Sequence, residues 1–439
     1  MNWTAEAEQL LEKMPAFVSD RFRKKLEDKA AQQKRTQIDS AFVKDQQGGH
    51  KHQGYPPPRV TNDPIAEAFE RKYAVHAGMM GGTPCGEDFE TALWREVSLP
   101  SPDIPGMAYI HIPFCSSRCH FCGFYAEVSV PDVMADYTRA LIAEIKMSGR
   151  YLKEAGQTLQ AVYFGGGTPT DLSGDDLSRL VQTIRSELPL SNDCEITLEG
   201  RLYGFVDKKV QAVLDSGVNR FSFGVQSFNT KIRQQVGRKQ PREEVIERLN
   251  RIVDLAEPHN AAVIIDLIFG LPGQGEVDWL GDIDCAIHET GIHGLDLYQI
   301  NIIPSTPLLS LKDKLPPMAT LRQRGKLFSI GRKRMIDAKF ERLSIAHWRR
   351  DPRERNRYNS WNKMGSNCLP LGSGAGGRWG KTRFFQQNDL KLYLAAIKNG
   401  EKPLAMGMIS PDHTQVSALA VGQLEQQQLD IVALEKVAG

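Results

Sequence analysis

The chain lacks any apolar run of 18 or more residues, and its first residues show no signal-peptide pattern. Its 55 basic and 53 acidic residues nearly cancel, and the formal charge of +2 gives no argument for a nucleic-acid or membrane partner. The seven cysteines are an odd number, and four of them are scattered, which does not indicate a disulfide framework. We therefore expect a reduced cytoplasmic protein without nucleic-acid binding or membrane insertion.

The length of 439 residues is enough for two or three domains with a sizeable core. Residues 1–45 contain short amphipathic stretches and are predicted to form a small helical module. Residues 46–62 are rich in Gly, Gln and Pro and are predicted to be a linker. The remainder is predicted to divide into 63–310, where strand and helix patterns alternate, and 311–439, where this alternation has stopped.

Strand and helix patterns alternate six times between residues 107 and 301. The candidate strands are 107–114, 161–167, 195–200, 220–227, 262–271 and 294–301. Strands that alternate with helices indicate βαβ units and a parallel sheet. In parallel barrels the chemistry lies at the carboxyl ends of the strands, so functional residues are expected in the loops that follow them.

Three cysteines follow the first of these strands with a C-x3-C-x2-C spacing, namely Cys115, Cys119 and Cys122. Three thiolates this close can ligate one centre, and soft sulfur ligands suit an iron–sulfur cluster or zinc. A closed structural zinc site needs a fourth ligand, for which His111 and His120 are the candidates. Three ligands on a four-iron cluster instead leave one iron free to bind another molecule. Unreactive thiols are the remaining interpretation.

The sequence around these cysteines, Y-I-H-I-P-F-C-x3-C-x-F-C, resembles the signature of the radical S-adenosylmethionine (SAM) enzymes, in the subgroup related to oxygen-independent coproporphyrinogen dehydrogenase. The resemblance implies a [4Fe–4S] cluster on the three cysteines, with SAM bound at the open iron and cleaved to a 5′-deoxyadenosyl radical. It also implies an α/β fold, an incomplete (β/α)6 radical SAM barrel with an α-rich C-terminal domain and a small helical N-terminal module. Through Trp3, Arg21 and Arg23, that module resembles one found in light-independent protochlorophyllide reductase.

The resemblance further implies a SAM site at the strand ends. The sequence GGGTP at 165–169 is similar to the family's GGTP turn, whose backbone contacts the SAM amino group. Glu199 takes the place of the ribose-binding glutamate, although Arg201 and Leu202 replace the usual asparagine and proline. The expected cofactor-binding residues are Tyr109, Phe121, Gly166, Gly167, Thr168, Glu199, Gln226, Arg238, Asp266 and Ile268. Asp266 is also consistent with a loop brace or helix N-cap, and the two aromatic residues with core packing.

Two motifs near the C-terminus, H-W-R-R-x-x-R-E-R-N-x-Y-N and L-P-L-G-S-G-A-G-G, resemble those of the HutW/ChuW type, the anaerobic haem-degrading radical SAM methyltransferases (anaerobilin synthases). The commoner relatives carry H-N-x-x-Y-W where this chain has Arg355 to Asn359, which counts against the haem-chaperone branch. The resemblance implies that SAM supplies a radical or methyl group to the haem macrocycle. The ring then opens to a linear tetrapyrrole, and iron is freed without oxygen.

The arginine-rich motif is expected to contact this substrate, because guanidinium groups suit the haem propionates. The arginines concerned are Arg349, Arg350, Arg353 and Arg355, for which a solvated basic loop is the alternative. The candidate catalytic residues are His347, as an iron ligand or proton donor, and Arg355; packed structure is the alternative for His347. We expect this motif and the glycine motif to flank a flat cavity over the open mouth of the barrel.

Haem as substrate and an electron donor such as a flavodoxin or flavoprotein reductase are the implied partners. Two other functions remain open. One is an oxygen-independent coproporphyrinogen III dehydrogenase-like activity, which product analysis with each tetrapyrrole would reveal. The other is a non-enzymatic haem-binding or trafficking protein, in which SAM cleavage would not depend on haem.

The cysteine spacing generates a first prediction. Anaerobically reconstituted protein should hold about four irons at the C-x3-C-x2-C site, measured by iron and sulfide analysis. Cys119→Ala should abolish both the cluster and SAM cleavage, whereas Cys285→Ala, outside the motif, should preserve both. Zinc in place of iron after anaerobic purification, with activity retained, would refute the cluster.

Overall fold

The computed structural model describes residues 2–12, 23, 26–31, 33, 35–47, 82–86, 88–100, 104–124, 127–303 and 306–438. The chain divides into two compact units, 1–62 and 63–439. Of the predicted linker, only residues 46 and 47 are described, and they end a helix. The rest of the linker lies outside the described residues.

The first unit combines two short strands with helices. Its elements are β1 (Asn2–Trp3), α1 (Ala5–Glu12), β2 (Gln37–Ile38) and α2 (Ser40–Gln47), and the two strands pair in parallel. Its buried side chains are Ala7, Leu26, Ala30, Ile38, Phe42 and Val43. The indole of Trp3 covers this cluster and donates a 3.0 Å hydrogen bond to Glu27. The small helical module predicted for this part of the chain therefore has a core of its own.

The second unit is built around a long mixed sheet. The described strands of this unit are β3 (Thr83–Pro84), β4 (Gly106–Ile112), β5 (Phe114–Cys115), β6 (Glu127–Val128), β7 (Leu159–Gly166), β8 (Leu190–Gly200), β9 (Arg220–Gln226), β10 (Ala262–Phe269), β11 (Gly294–Gln299), β12 (Glu341–Arg342), β13 (His347–Arg349), β14 (Asn367–Leu371), β15 (Gly376–Trp379), β16 (Thr382–Gln386) and β17 (Leu404–Ile409). β5 and β6 pair with each other, and the other strands form the long sheet. The described helices of this unit are α3 (Phe89–Ser98), α4 (Pro131–Glu154), α5 (Gly174–Glu187), α6 (Asp207–Ser216), α7 (Thr230–Gln235), α8 (Arg242–Ala256), α9 (Glu276–His288), α10 (Pro307–Ser310), α11 (Leu321–Asp337), α12 (Arg357–Lys363), α13 (Leu390–Lys398), α14 (Thr414–Glu425) and α15 (Ile431–Ala438).

The strand order confirms the predicted α/β barrel. Strands β4, β7, β8, β9, β10 and β11 lie side by side in parallel, and they correspond to the six strands predicted from the sequence. The region after residue 311 is helical, as expected, but it also contributes strands that the sequence analysis did not predict. β14 joins β4 in parallel, while β13 pairs antiparallel with β11 at the other edge. The C-terminal region is therefore continuous with the barrel sheet.

Local sequence explains why these elements form. β10 reads AVIIDLIF and is almost wholly buried, as expected for a parallel strand covered on both faces. α5 begins where the Ser173 hydroxyl accepts from the Asp176 amide, and α11 begins with a capping box between Thr320 and Gln323. These caps satisfy backbone donors that the first turn of a helix leaves unpaired.

A buried network centred on Glu144 of α4 fixes the loop that follows β14. Its carboxylate accepts from the Gly372 amide at 2.8 Å, and it forms a 2.6 Å ion pair with Lys402. Gln386 and Tyr393 donate to the same carboxylate. Both members of the ion pair are fully buried, so each depends on the other to offset its lost hydration.

This network generates a stability prediction. Glu144→Leu leaves the Lys402 ammonium buried without its counter-ion and should lower the free energy of unfolding by about 3 to 5 kcal/mol in urea titration. The double variant Glu144→Leu/Lys402→Met should recover part of that loss. Lys381→Ala breaks an exposed pair with Asp412 and should cost at most about 1 kcal/mol. Equal losses in the buried and exposed variants would contradict this account.

Candidate cofactor and substrate site

The cysteine loop is anchored to the glycine turn that follows β7. The amides of Gly167 and Thr168 donate to the carbonyls of Ile112 and Phe114, both at 2.7 Å. The Thr168 hydroxyl lies 3.2 Å from the Cys115 thiol. Two segments that are about fifty residues apart in sequence therefore meet at the carboxyl edge of the sheet.

Arg201 holds the middle of the same loop. Its guanidinium donates to the Ser117 hydroxyl at 2.6 Å and to the Ser117 carbonyl at 2.8 Å, and it lies 3.4 Å from the Cys119 sulfur. Arg201 therefore fixes the loop backbone between Cys115 and Cys119. Sequence reasoning noticed Arg201 only as a departure from the family pattern and missed this contact.

The cysteine loop supplies thiol donors for a cluster, although its side chains are not in a metal-binding arrangement. In the described chain no group of three or more Cys, His, Asp or Glu side chains, these cysteines included, is already arranged around a metal ion. His120, one of the two candidate zinc ligands, directs Nδ1 to the Gln235 carbonyl at 2.9 Å, and its backbone bonds to Val236. The donor set that fits is three thiols, which suits an iron–sulfur cluster.

The glycine turn has no room for side chains. A Cβ on Gly166, whose φ is +109°, would lie 2.7 Å from the His111 ring. A Cβ on Gly165 would lie 2.8 Å from the Glu199 carboxylate, and one on Gly167 would lie 2.4 Å from the Phe114 carbonyl. Glu199 therefore reaches the same edge of the sheet as the cysteine loop, on the side that the sequence predicts.

Three further SAM candidates, Gln226, Arg238 and Asp266, lie close together around β9 and β10. Asp266 of β10 lies opposite Gly224 of β9. A Cβ on Gly224 would meet Gln226 at 2.4 Å and Arg238 at 3.2 Å. Each candidate has one buried polar atom without a hydrogen-bond partner, namely Gln226 Oε1, Arg238 Nε and Asp266 Oδ1. Because buried polar groups are normally paired, these three atoms indicate a place for a polar ligand.

Burial favours the protonated form of both carboxyl groups in this set. Burial, and secondarily the charge of Asp266, raises the pKa of Glu199 to about 8. Burial also raises the pKa of Asp266 to about 6, against the opposing effects of Arg220 and Arg238. A cationic ligand entering this group would offset the cost of ionising both carboxyl groups.

The two aromatic candidates, Tyr109 and Phe121, pack in different clusters. Tyr109 packs with Tyr163 and Tyr358, whose ring centroids lie 6.4 and 5.9 Å away. Phe121 belongs to an apolar cluster that includes Ile268. The structure thus brings Phe121 and Ile268 together, while Tyr109 belongs to a separate tyrosine stack.

His347 is buried inside the barrel sheet rather than at its mouth. Its Nδ1 lies 2.5 Å from the Ser344 hydroxyl, and its Nε2 lies 2.9 Å from the Tyr298 hydroxyl. Both ring nitrogens are therefore engaged. Iron ligation by His347 would require one of these bonds to break, so this geometry does not support the iron-ligand interpretation.

The arginine-rich motif does not lie where the sequence predicted it. Arg355 contacts the Asp193 carbonyl at 3.0 Å and the Glu195 carboxylate at 3.6 Å, and Arg353 pairs with Asp351 and Glu257. Asp193 and Glu195 lie in the first half of β8, Glu257 precedes β10, and Asp351 follows the antiparallel strand β13, so these partners lie toward the amino ends of the parallel strands. The expectation that Arg353 and Arg355 border a cavity over the mouth is wrong, because acidic residues at the opposite end of the barrel hold them.

The other two arginines of the motif also have partners within the protein. Arg349 pairs with Glu341, and the guanidinium of Arg350 donates to the backbone carbonyls of Ile287, Thr290 and Ile292.

A cavity of about 480 Å³ does occur beside the motif, but it lies toward the amino ends of the strands. Its lining residues are Asp193, Asn219, His259, Asn260, Pro352, Arg353 and Arg355. Arg355 is consequently not positioned for catalysis beside the cysteine loop.

The glycine motif, by contrast, does lie beside the cysteine loop. It follows β14, whose carboxyl end is adjacent to that of β4. A Cβ on Gly372 would lie 2.5 Å from the His111 carbonyl, and one on Gly374 would lie 3.8 Å from the His111 ring. The two motifs expected to share one cavity are thus separated by the length of the barrel strands.

Comparison with known proteins agrees with this geometry. A family model described as the radical SAM superfamily matches residues 109–286, and one described as the protochlorophyllide reductase 57 kD subunit matches residues 3–46. Anaerobilin synthase from Escherichia coli O157:H7 is 39% identical over 330 residues, covering 75% of this chain and 73% of that protein. Heme chaperone HemW from Bacillus subtilis is 29% identical, covering 66% and 75%. The solved structure of coproporphyrinogen III oxidase from Escherichia coli, at 22% identity, has a TM-score of 0.71 and covers 84% and 86%.

The protein therefore belongs to the radical SAM superfamily, and it uses a [4Fe–4S] cluster and SAM. Within the superfamily it belongs to the branch that includes anaerobilin synthase and the haem chaperone HemW. Among the described helices, none is long and apolar enough to cross a membrane.

The neutral state of Glu199 generates a pH prediction. Its pKa is about 8 in the folded protein against an ordinary 4.5, so between these values the folded state keeps a proton that the unfolded state has lost. Stability from this group is complete below about pH 4.5 and is lost as pH rises through 8, by up to about 1.4 kcal/mol per pH unit.

Urea unfolding of SAM-free protein between pH 6.5 and 8 tests this sign, because the range lies above the Asp266 pKa of about 6. Glu199→Gln should show a smaller decline in stability than the parent across this range. Glu244→Gln, at an exposed position of α8, should decline like the parent. Parallel declines in all three proteins would mean that Glu199 is ionised in the folded state.

Proposed function

We propose that the protein is a radical SAM C-methyltransferase that opens the haem macrocycle without oxygen, producing a linear tetrapyrrole and releasing iron. The observation that carries this proposal is the 39% identity to anaerobilin synthase across three quarters of the chain. The C-terminal motifs support it, since they lie within the region that distinguishes branches of the superfamily. The biological role that fits this activity is haem utilisation for iron acquisition in the cytoplasm.

When bound, the cluster and SAM supply an electron and a carbon radical or methyl group. The chain's own residues bind and orient these cofactors. Cys115, Cys119 and Cys122 would hold the cluster, and the backbone at 165–168 would face SAM. The unpaired atoms of Gln226, Arg238 and Asp266 would offer SAM three polar contacts.

The glycine motif is proposed to contact the tetrapyrrole. It lies beside the cysteine loop, and Gly372 and Gly374 have positive φ values of 93° and 80°. Glycine at both positions lets the backbone approach a flat ligand closely. We propose 63–310 as the partial barrel and 311–439 as the substrate-covering region. Arg353 and Arg355 are not propionate ligands in this proposal, because acidic residues hold them at the opposite end of the barrel.

The haem-chaperone alternative has less support from the site. Where the commoner relatives carry the H-N-x-x-Y-W motif, Arg355 is paired with acidic residues and Asn356 is buried. His347 is the histidine of the arginine-rich motif, and both of its ring nitrogens are already in hydrogen bonds. The coproporphyrinogen-dehydrogenase alternative stays open, because the solved relative shares the fold with this chain.

An external one-electron donor is part of the proposal, and a flavodoxin or flavoprotein reductase meets this need. The choice between donors depends on the rate of cluster reduction by each purified protein.

The proposed function predicts a defined product. Anaerobic incubation of reconstituted protein with haem, SAM and a reductant should give a methylated linear tetrapyrrole by mass spectrometry, together with free ferrous iron by chelator absorbance. Cys119→Ala should give neither product, and coproporphyrinogen III should remain unconverted. Decarboxylation of coproporphyrinogen with haem left intact would favour the dehydrogenase alternative, whereas haem binding without any conversion would favour a chaperone.

A further inference from the structure

A row of polar side chains crosses the barrel wall next to the SAM candidates. Asp296 of β11 lies directly opposite Asp266 of β10, and on its other side it lies opposite His347 of β13. Asp296 and His347 are 3% and 2% exposed. The row therefore runs from the SAM candidates to a strand contributed by the C-terminal region, and cofactor binding does not account for its outer members.

A single hydrogen-bonded chain connects the outer members of this row. The Ser344 hydroxyl lies 2.5 Å from His347 Nδ1, and His347 Nε2 lies 2.9 Å from the Tyr298 hydroxyl. The Tyr298 hydroxyl donates in turn to Asp296 at 3.3 Å. Because the Tyr298 hydroxyl donates its one proton to Asp296, it accepts from Nε2–H of the imidazole. In that tautomer Nδ1 is the acceptor, and Ser344 donates to it.

The chain therefore points inward throughout, with each group donating to the next and Asp296 at its inner end. The Ser344 side chain at its outer end is itself buried, and the next residue, Ile345, is 45% exposed, so one residue separates the chain from the surface. Hydroxyl and imidazole groups can each accept one proton while donating another. A chain of this kind can pass protons from the surface to the barrel interior.

The surroundings hold the chain in the protonation state that it needs. Burial, followed by the charge of Asp266, raises the pKa of Asp296 well above its ordinary value. Burial, followed by Lys363, lowers the pKa of His347 well below its ordinary value. The other charged groups facing the row are Arg220 and Glu354. Both shifts favour the uncharged forms of Asp296 and His347.

Iron release from a tetrapyrrole creates a demand for protons. The macrocycle binds ferrous iron as a dianion, through four nitrogens of which two have lost their protons. When the iron–nitrogen bonds break, the electron pairs stay on nitrogen and two protons form N–H bonds. Iron leaves as its divalent ion, so the step is balanced in charge and needs no further oxidant or reductant. A buried site closed to bulk water must deliver those protons through its own side chains.

We propose that Ser344, His347, Tyr298 and Asp296 form a proton relay that delivers solvent protons to the tetrapyrrole nitrogens as iron leaves. Asp296 gives up its proton at the inner end, and the chain reprotonates it from the surface. This proposal rests on the proposed function, since it requires a tetrapyrrole that loses iron in the barrel. It assigns Tyr298 and Asp296, which sequence reasoning did not single out, and gives His347 a role other than iron ligation.

Single-turnover experiments separate the relay from ring opening. Reconstituted wild-type protein, Tyr298→Phe and Asp296→Asn are mixed anaerobically with haem, SAM and reductant. SAM cleavage and the ring-opened product are followed by mass spectrometry, and ferrous iron by chelator absorbance. We expect both variants to open the ring but to release iron at least about tenfold more slowly, so that iron-bound product accumulates. Thr290→Val removes a buried hydroxyl outside the row and should release iron at the wild-type rate.

The pH profile and chemical rescue exclude a merely structural role. Wild-type iron release should vary little between pH 6 and 8, whereas release by Tyr298→Phe should fall steeply as free protons become scarcer. Imidazole added to His347→Ala should restore much of the lost rate. Wild-type release rates and an unchanged pH profile in Tyr298→Phe and Asp296→Asn would overturn the relay while leaving ring opening intact. Absence of any ring-opened product from wild-type protein would refute the proposed function itself, and the relay with it.

Discussion

The buried ion pair between Arg220 and Glu354 is the interaction on which the interior of the barrel depends. Arg220 Nε and Nη2 donate to the two carboxylate oxygens at 2.8 and 2.9 Å, and both side chains are almost completely buried. The guanidinium also acts electrostatically on Glu199, Asp266 and Asp296. Without this cation, a barrel containing several carboxyl groups would hold a large excess of acidic groups in a medium of low dielectric constant. The pair also joins the C-terminal arginine motif to the start of β9.

Parallel pairing of the strands brings the functional residues to one edge of the sheet. Because β4, β7, β8, β9 and β10 run in one direction, the loops after them meet at a single edge, where the cysteine loop, the glycine turn and Glu199 lie together. The register of β10 then decides which polar side chains face one another, and it sets Asp266 between Gly224 and Asp296. A shift of one residue would turn Asp266 toward the helices outside the sheet. Packing of the fully apolar positions of β10 on both sides prevents such a shift.

Sequence patterns predicted the barrel and its cofactor edge because both depend on local information. Six hydrophobic strands, a C-x3-C-x2-C loop and a glycine turn can each be recognised within ten residues or so. The arginine motif was misplaced because its position depends on partners far away in sequence, such as Asp193 and Glu195, more than 150 residues before Arg355. β14 was missed for a related reason: its sequence, NCLPL, is short and contains a proline, and only pairing with β4 makes it a strand.

Unpaired polar atoms and buried acids with raised pKa values would destabilise an ordinary core, because each unsatisfied buried group costs about 1 to 3 kcal/mol. Here they gather around Asp266, where Gln226 also adopts a positive φ of 72° that a non-glycine residue rarely tolerates. Elsewhere, buried charges are paired within the protein, as in the network around Glu144 and Lys402 that holds the loop after β14. Stability is therefore concentrated in the surrounding framework, and the free energy that the interior lacks is what a polar, cationic cofactor can supply on binding. That division explains why the barrel keeps so many ionisable groups where a purely structural core would have apolar ones.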